Sequence, residues 1–530
     1  MRPFFPSLSR VTSPEEIHAH RYWIAVTVTL AAMLELLDTS IVNVAIPHMM
    51  GTFGATIDEI AWVSTGYVVA NVIVLPISGW LSNFCGRRNY FVLSILVFTL
   101  SSFFCGNATS LGGLVFWRIV QGLGGGGLIA TANATLYEVF TPKEAAQSIA
   151  IFGLGIMVGP TLGPTVGGWI TDTYAWPWIF YINLPLGALA LVAALMVVPE
   201  SRYGQRAARI DWQGLLLLAA GIGCLQILLE RGERQDWFES REIVAYALTS
   251  SVALIVFVWH ELRCEHPIVD LHILRDSQFS ISLIFTFLLG AAMYSTVFVL
   301  PVYLQTLLGY NAWETGMVIL PGAISSGVTM ALMGKIVTTY RLDLRLFIVM
   351  GAAIFGWSMW QHGQFTTLSG EGDFFWPLVW RGVGLGMIFI PLNNLSFANL
   401  QPQHIANGSG FYNLTRQLGG SVGIAASATA FVQLQTIMRG ELLHHVSRYS
   451  PETVERLAKL KALFLSHGVP STLADQKALF LLNQQVAKQA AMLSFERLFL
   501  CFGIALLIAL PLMLLMTRTQ FTRGGAPVEG

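Results

Sequence analysis

Residues 22–46, YWIAVTVTLAAMLELLDTSIVNVAI, form a long apolar stretch whose only ionisable side chains are the carboxyls of Glu35 and Asp38, apart from Tyr22 at its edge. About 20 apolar residues are enough for a helix to cross roughly 30 Å of hydrocarbon. A charged side chain at the centre of such a helix costs about 2.5–3.5 kcal/mol and usually faces a helix bundle or a water-filled path. The stretch therefore predicts a membrane helix whose acidic residues have a function inside the bilayer.

The composition of the whole chain is that of a polytopic membrane protein. Of its 530 residues, 54% are hydrophobic and only 11% are charged, whereas a soluble domain carries about 25% charged residues. The number of apolar runs of suitable length predicts an all-α fold with about 14 transmembrane helices. The expected spans are 23–47, 60–81, 89–107, 111–136, 147–170, 178–198, 213–230, 243–260, 279–304, 313–333, 345–361, 375–395, 408–434 and 496–517.

Positive charges are concentrated in alternate short loops. With the N-terminus inside, the inner loops hold Arg87, Arg88, Lys143, Arg202, Arg206, Arg209, Arg263, Arg275, Lys335, Arg341 and Arg345. In the outer loop at 230–242, acidic residues outnumber basic ones. Because Lys and Arg in short loops set orientation, both termini are expected in the cytoplasm of a multi-pass inner-membrane protein. No cleavable signal peptide is expected, since residues 1–20 are polar and the first apolar run is too long.

Two segments of the chain are similar to each other, LVFWRIVQGLG at 114–124 and LVWRGVGLG at 378–386. If they correspond, helices one to six match helices nine to fourteen, as in transporters built from two halves with the substrate site between them. The expected domains are a cytoplasmic N-terminus (1–21), a six-helix bundle (22–200), a linker with two additional helices (201–278), a second six-helix bundle (279–517) and a cytoplasmic tail (518–530).

The only long polar stretch lies between the last two predicted helices, at residues 436–494 on the outer side. Its content of Leu, Ala, Glu, Lys and Gln predicts short amphipathic helices outside the membrane. Two interpretations remain open for this segment: an ordinary exposed loop, or a docking surface for a partner.

Glu35 and Asp38 lie three residues apart and therefore on one face of their helix. Neighbouring carboxyls that are held out of water can take up and release protons near neutral pH. The guanidinium of Arg118 is always charged, so inside the membrane it needs a partner, for which Asp38 or Glu35 is the candidate. We predict proton coupling by these three residues; a static ion pair or a structural acid is the alternative. Secondary buried polar candidates are Asn43, Gln121, Arg381 and Arg416.

Two predicted helices are rich in glycine. In the fifth span, small residues four apart lie on one face, which lets membrane helices approach closely, and two prolines add bends. These residues are Gly155, Gly159, Gly163 and Gly167, with Pro160 and Pro164. We expect a packing seam that also flexes, although a plain packing seam is the alternative. The G-x-G-x-x-G at 122–127 has no preceding strand and therefore does not indicate a dinucleotide site.

Motifs of enzymes and of metal sites are absent from the sequence. There is no G-x-x-x-x-G-K-[ST] and no G-x-S-x-G, and the segment 260–266 lacks His-Glu-x-x-His spacing. The five cysteines have no metal-ligand spacing. We therefore expect no enzymatic activity, no metal or cofactor and no nucleic-acid partner, with the proton gradient as the driving force.

Several ordered motifs resemble the major facilitator superfamily, and within it the fourteen-helix EmrB/QacA branch of drug:proton antiporters. They are LDTSIVNVAIP at 37–47, GWLSNFCGRR at 79–88, RIVQGLGGG at 118–126, GIMVGPTLGPTVGG at 155–168 and WIFYINLPLG at 178–187. The resemblance covers nearly the whole chain. The long segment between the last two helices is most similar to the EmrB subgroup, which works with a periplasmic adaptor.

The resemblance implies roles for individual residues. Asp38 matches the first-helix acid of proton coupling, and Arg118 matches the fourth-helix arginine tied to proton transfer. The loop motif that locks and releases the two halves matches Gly79, Gly86, Arg87 and Arg88, with Asn83 where the family normally carries Asp. The fifth-helix motif associated with antiporters matches Gly159, Pro160, Gly163 and Gly167.

Together these features predict a proton-coupled exporter of hydrophobic or amphipathic small molecules, in contact with membrane lipid. A periplasmic adaptor and an outer-membrane channel are the implied protein partners. Two other functions remain open at this point: proton-coupled transport of one specific metabolite, and a membrane sensor or scaffold that transports nothing.

Overall fold

The computed structural model describes residues 13–141, 144–201, 211–265, 267–339, 343–447 and 449–516. Within these ranges the chain is helical, with turns and short connections and without β-strands. Several predictions lie outside the described residues: the N-terminus before residue 13, the linker at 202–210, the tail from residue 517, and the basic residues Lys143, Arg202, Arg206, Arg209 and Arg341.

In the described residues, 14 helices are long and apolar enough to cross a membrane, as the sequence predicts. They are α1 (Glu15–Phe53), α2 (Ile57–Cys85), α3 (Arg87–Gly106), α4 (Leu111–Val139), α5 (Gln147–Thr173), α6 (Trp178–Val197), α7 (Trp212–Arg231), α8 (Arg241–Glu261), α9 (Ser277–Leu307), α10 (Ala312–Val337), α11 (Leu344–His362), α12 (Glu371–Phe397), α13 (Pro402–His445) and α14 (Ser471–Ile508).

Helix α1 has start and stop signals that are local in sequence. Ser13 and Glu16 form a capping box, in which the Glu16 N–H donates to Ser13 Oγ at 3.2 Å and the Ser13 N–H donates to Glu16 Oε2 at 3.1 Å. At the other end Gly54 adopts a left-handed conformation with φ of 61°, which a residue without a Cβ adopts at little cost. These signals set the ends of the helix that carries both acidic candidates.

The end of the thirteenth span and the start of the fourteenth differ from the prediction. Helix α13 continues to His445 and α14 begins at Ser471, so both extend well beyond the apolar runs predicted at 408–434 and 496–517. Only Pro451–Ser466 is a separate short helix. The prediction of short amphipathic helices was therefore wrong for the rest of this segment, because hydropathy marks where a helix leaves the bilayer and not where it ends.

Large apolar side chains cover the outside of the bundle. On α8, the exposed fractions of Leu248, Val252 and Ile255 are 63%, 61% and 70%. Their spacing of four and three residues places them on one face of the helix. An exposed apolar face of this kind is the surface of a multi-pass membrane protein that contacts lipid.

Glycines four residues apart join α5 to α1. A Cβ on Gly159 would lie 2.9 Å from Leu36 Cβ and 3.2 Å from the backbone nitrogen of Leu37. Gly155, Gly163 and Gly167 likewise face Thr29, Ser40 and Ile41. The predicted packing seam therefore lies against the helix that carries Asp38; whether it flexes stays a prediction.

A proline also contributes to this contact. Because Pro164 has no N–H, the carbonyl of Pro160 loses its usual intrahelical donor. The hydroxyl of Ser40 on α1 donates to that carbonyl at 2.9 Å. The helix on which α5 packs thus supplies the donor that Pro164 lacks, whereas the predicted bend of α5 stays a prediction.

Helix contacts repeat along the chain. Helix α1 packs on α5, and α9 packs on α13 in the same way, with Gly419 against the Phe287 backbone. Helices α2 and α13 are in contact, as are α10 and α5. This is the pairing expected if α1–α6 correspond to α9–α14, although the domain boundaries themselves stay a prediction. Helices α7 and α8 form a hairpin, and α7 packs against α2.

We expect Gly159→Val to destabilise the protein by about 1–3 kcal/mol, because the new methyl groups collide with the backbone of α1. The measurement is thermal unfolding of the purified protein in detergent. Gly51→Val is the matched control, since a Cβ at Gly51 on α1 would have no atom within 4 Å. Equal unfolding temperatures for the two variants would contradict the seam.

Candidate functional site

The carboxylate of Asp38 is fully bonded inside the protein. Arg118 Nη1 on α4 donates to its Oδ2 at 2.5 Å. Gln121 Nε2, one turn further along α4, donates to Oδ1 at 3.0 Å, and Asn183 Nδ2 on α6 donates to the same oxygen at 2.8 Å. The structure thus selects Asp38, and not Glu35, as the partner of Arg118.

The Arg118 guanidinium is held from several sides. Its Nε donates to the carbonyl of Val63 on α2 at 3.0 Å, and Nη1 also donates to Gln121 Oε1 at 2.8 Å. The guanidinium carbon lies 4.1 Å from the centre of the Tyr67 ring, a distance at which the aromatic face attracts a cation. Arg118 is therefore positioned by α2 as well as by the acid on α1.

Two members of this network were missed by sequence reasoning, Asn183 and Ser102. Ser102 Oγ on α3 receives hydrogen bonds from Asn183 Nδ2 at 3.0 Å and from Gln121 Nε2 at 3.3 Å, and it donates to the carbonyl of Phe180. Asn183 lies within the quoted motif at 178–187, but an isolated amide or hydroxyl in an apolar span carries no signal of its contacts.

The network is closed to solvent. Asp38, Gln121, Asn183 and Ser102 are 0% exposed and Arg118 is 1% exposed. Two opposite charges in such a dry place are stable only when both are paired and hydrogen-bonded, as they are here. Loss of charge on either partner would leave the other buried without compensation.

Glu35 has a different environment from Asp38. Asn71 Nδ2 on α2 donates to its Oε1 at 2.7 Å. Its Oε2 is buried and has no hydrogen-bond partner among the described residues. The guanidinium of Arg416 on α13 is close enough to act on Glu35 electrostatically. Glu35 therefore faces the second half of the chain, whereas Asp38 faces the interior of the first.

The four secondary candidates have different environments. Gln121 belongs to the Asp38 network, and Arg416 Nη2 donates to Asn413 Oδ1 at 3.1 Å while its Nε and Nη1 have no partner among the described residues. Arg381, the repeat counterpart of Arg118, is buried, and no carboxylate pairs with it in the described part of the chain. Asn43 is exposed on α1 and outside the network.

The loop motif connects the start of α3 to the ends of α4 and α6. Arg87 forms an ion pair with Glu138, and Arg88 Nη2 donates to the carbonyl of Leu195 at 2.7 Å. Gly86 adopts φ of 86°, a conformation that favours glycine. Asn83 is half-buried on the last turn of α2.

Gly79 lies where α2 meets α13. A Cβ at this position would come within 2.9 Å of two backbone atoms of α13, the carbonyl carbon of Ala406 and the Cα of Asn407. Backbone atoms cannot move aside as a flexible side chain can. Any larger residue at position 79 would therefore keep the two helices apart.

We expect Arg118→Gln to destabilise the protein by about 3–5 kcal/mol, because it leaves the Asp38 carboxylate buried without its cation. The double variant Asp38→Asn/Arg118→Gln removes both charges and should be more stable than Arg118→Gln alone. The measurement is chemical unfolding in detergent, read as a double-mutant cycle. Strictly additive effects of the two substitutions would contradict the coupling.

The chain is similar to known proteins over most of its length. A family model described as Major Facilitator Superfamily matches residues 28–424. Fatty acid resistance protein FarB of Neisseria gonorrhoeae is 30% identical over 503 residues, covering 95% of this chain and 97% of that protein. Multidrug export protein EmrB of Escherichia coli is 30% identical over 504 residues, covering 94% of this chain and 96% of that protein.

A solved structure shares the fold. The human organic anion transporter MFSD10 (TETRAN) superposes with a TM-score of 0.57, covering 92% of this chain and 99% of that chain at 14% identity. With the match of the family model and of the curated relatives over nearly the whole chain, the resemblance seen in the sequence motifs is confirmed. The chain belongs to the Major Facilitator Superfamily.

Proposed function

We propose that this protein is a proton-coupled exporter of hydrophobic or amphipathic small molecules, and that Asp38 carries the proton. The observation that supports this most strongly is the closed network around Asp38, which joins one titratable group to four other helices. The names of the relatives, which describe multidrug export and fatty acid resistance, support the same class of substrate.

In this mechanism, a proton from the outside neutralises Asp38. The neutral carboxyl no longer compensates the charge of the Arg118 guanidinium. The hydrogen bonds that Gln121 and Asn183 donate to it also become weaker, because its oxygens no longer carry a negative charge. Helices α1, α4 and α6 then lose their common anchor and the outward-facing state releases its substrate. Loss of the proton toward the cytoplasm restores the ion pair and resets the transporter.

Glu35 is proposed as the second acid of the mechanism. One of its carboxylate oxygens has no hydrogen-bond partner among the described residues, and the guanidinium of Arg416 on α13 is near enough to act on it electrostatically. Other buried polar atoms without partners lie on the helices around it, including those of Asn133 on α4 and Asn393 on α12. Polar groups of this kind need water or a bound molecule as a partner, which supports a substrate site between the two halves.

The contacts around Gly79 are proposed as the gate on the cytoplasmic side. Near Gly79, Ser409 Oγ on α13 donates to the carbonyl of Ala130 on α4 at 2.8 Å, and Tyr137 on α4 donates to Asn393 on α12 at 2.6 Å. These are direct contacts between helices of the two predicted halves. Opening toward the cytoplasm requires them to separate, while Arg87 and Arg88 keep the start of α3 attached to α4 and α6.

A periplasmic adaptor is proposed to dock on the segment between α13 and α14. The short helix Pro451–Ser466 packs on α14, with Leu460 against Leu482 and an ion pair of 2.8 Å between Lys461 Nζ and Asp475 Oδ1. Large apolar side chains remain exposed nearby, among them Tyr449 and Phe480. An inner-membrane location with both termini in the cytoplasm, and an outer-membrane channel beyond the adaptor, complete this proposal.

We expect Asp38→Asn to abolish export driven by a pH gradient while the protein still inserts into the membrane, because an amide cannot take up a proton. The measurement is loss of fluorescent amphipathic compounds from proteoliposomes with an imposed pH gradient. Asp58→Asn, at an exposed acid on the first turn of α2, is the matched control. Normal gradient-driven export by Asp38→Asn at a normal protein level would overturn the mechanism. Uptake in place of efflux would favour an importer of a metabolite.

We expect Gly79→Val to abolish transport without unfolding the protein, because the two halves can no longer close on the cytoplasmic side. The measurement is thiol labelling of Ser409→Cys, at a position that is 0% exposed, in a background without the native cysteines. Labelling should rise in Gly79→Val and stay low in the matched control Gly440→Val, where a Cβ meets no atom within 4 Å. Unchanged labelling together with unchanged transport would show that Gly79 is not part of the gate.

A further inference from the structure

Three side chains of different chemistry meet where α7 begins and α8 ends. Asp211 immediately precedes α7, His260 lies in the last turn of α8, and Cys264 follows one turn later. One possible ligand atom from each of these residues lies within 4.8 Å of the other two. All three side chains are half-buried, so they are accessible to a small ion.

The backbone holds these residues in place. Asp211 Oδ1 accepts the N–H of Gly214 at 3.0 Å and thereby caps α7, which leaves Oδ2 to contact His260 Nε2 at 2.8 Å. The N–H of Cys264 donates to the carbonyl of His260 at 2.9 Å, so the imidazole and the thiol come from one continuous turn. A group of potential ligands is therefore preformed by helix ends and does not depend on a flexible loop.

A second carboxylate lies beside these three groups. Glu261 is 2% exposed, and neither carboxylate oxygen has a hydrogen bond of good geometry in the described residues, although the N–H groups of Ile268 and Val269 lie close by. The position of a Cβ on Gly214 lies 2.8 Å from Glu261 Oε1 and next to Asp211 Oδ2. Two carboxylates thus approach each other beside an imidazole and a thiol. No Lys or Arg forms an ion pair with either acid within the described ranges.

We propose that Asp211, His260 and Cys264 form a binding site for a divalent transition metal of the Zn²⁺ type, with the Glu261 carboxylate beside the site. Imidazole, thiolate and carboxylate are the ligands that Zn²⁺ uses in tetrahedral sites. A thiolate and an imidazole disfavour Mg²⁺ and Ca²⁺, which prefer oxygen ligands. The positive ion would also compensate the two neighbouring carboxylates, for which the described residues supply His260 but no Lys or Arg.

Metal binding at this site requires the release of protons. The Cys264 thiol loses its proton to solvent. The proton that His260 Nε2 donates to Asp211 passes to Nδ1 or to solvent, so that neutral imidazole binds the metal through Nε2. The products are a metal–thiolate and a metal–imidazole bond, without a change in oxidation state. The ion would then join the start of α7 to the end of α8 and to the segment leading to α9, where Ile268 and Val269 pack against α2 and α13.

Sequence spacing could not reveal this group. The absence of His-Glu-x-x-His and of paired cysteines led to the expectation of no metal site. His260 and Cys264 stand four residues apart, but Asp211 lies 49 residues before His260. Only the antiparallel packing of α7 on α8 brings the carboxylate to the other two ligands.

The test is a titration of the purified full-length protein, without a polyhistidine tag, with Co²⁺ as a spectroscopic substitute for Zn²⁺. We expect one equivalent of Co²⁺ to produce the visible bands of tetrahedral cobalt and a near-ultraviolet thiolate-to-cobalt band, both removed by added Zn²⁺. Cys264→Ser should lose the thiolate band, and His260→Gln and Asp211→Asn should each weaken binding at least about tenfold. Asp211→Asn keeps a side-chain oxygen that can cap α7.

Cys501→Ser is the matched control, because Cys501 is an exposed cysteine on α14, a helix outside the proposed site. This variant should retain both sets of bands and the increase of melting temperature that Zn²⁺ produces in the unchanged protein. The proposal is overturned if the unchanged protein gives no thiolate band, or if Cys264→Ser retains that band. It is equally overturned if all variants bind Co²⁺ alike, which would mark adventitious binding only.

Discussion

The ion pair between Asp38 and Arg118 is the constraint on which the first half of the molecule depends. Both groups are out of water, so each charge is tolerated only because the other compensates it and because amides, a hydroxyl and a carbonyl satisfy the remaining sites. These partners come from α2, α3, α4 and α6, while the acid comes from α1. The network therefore joins five helices, and in the proposed mechanism a single proton on Asp38 acts on all of them.

The same helix that carries the acid is also packed for close contact. Helix α1 lies along the glycines of α5, and the carbonyl released by Pro164 accepts a hydrogen bond from Ser40, two residues after Asp38. Small residues at this contact allow the backbones of the two helices to approach each other closely. The buried charge and the close packing surface are thus combined on one helix, α1.

The two halves of the chain repeat the helix pairing but not the chemistry. Arg381 stands where Arg118 stands in the first half, yet no acid pairs with it in the described residues, and two buried nitrogens of Arg416 also have no hydrogen-bond partner there. The proton chemistry of the proposed cycle is therefore located in the first half. The second half supplies polar groups that face Glu35, and α7 and α8 add a surface with its own group of potential metal ligands.

Much of this protein could be predicted from the sequence, because the length and polarity of a transmembrane segment are local properties. The spans, the choice of Asp38 and Arg118 as buried charged residues, and the glycine face of α5 all follow from patterns within one segment. Tertiary structure alone decided which acid Arg118 binds, how Asn183, 145 residues from Asp38, completes the network, and that Asp211 meets His260. These contacts join distant segments, and their geometry is set by how the helices pack, which no local pattern records.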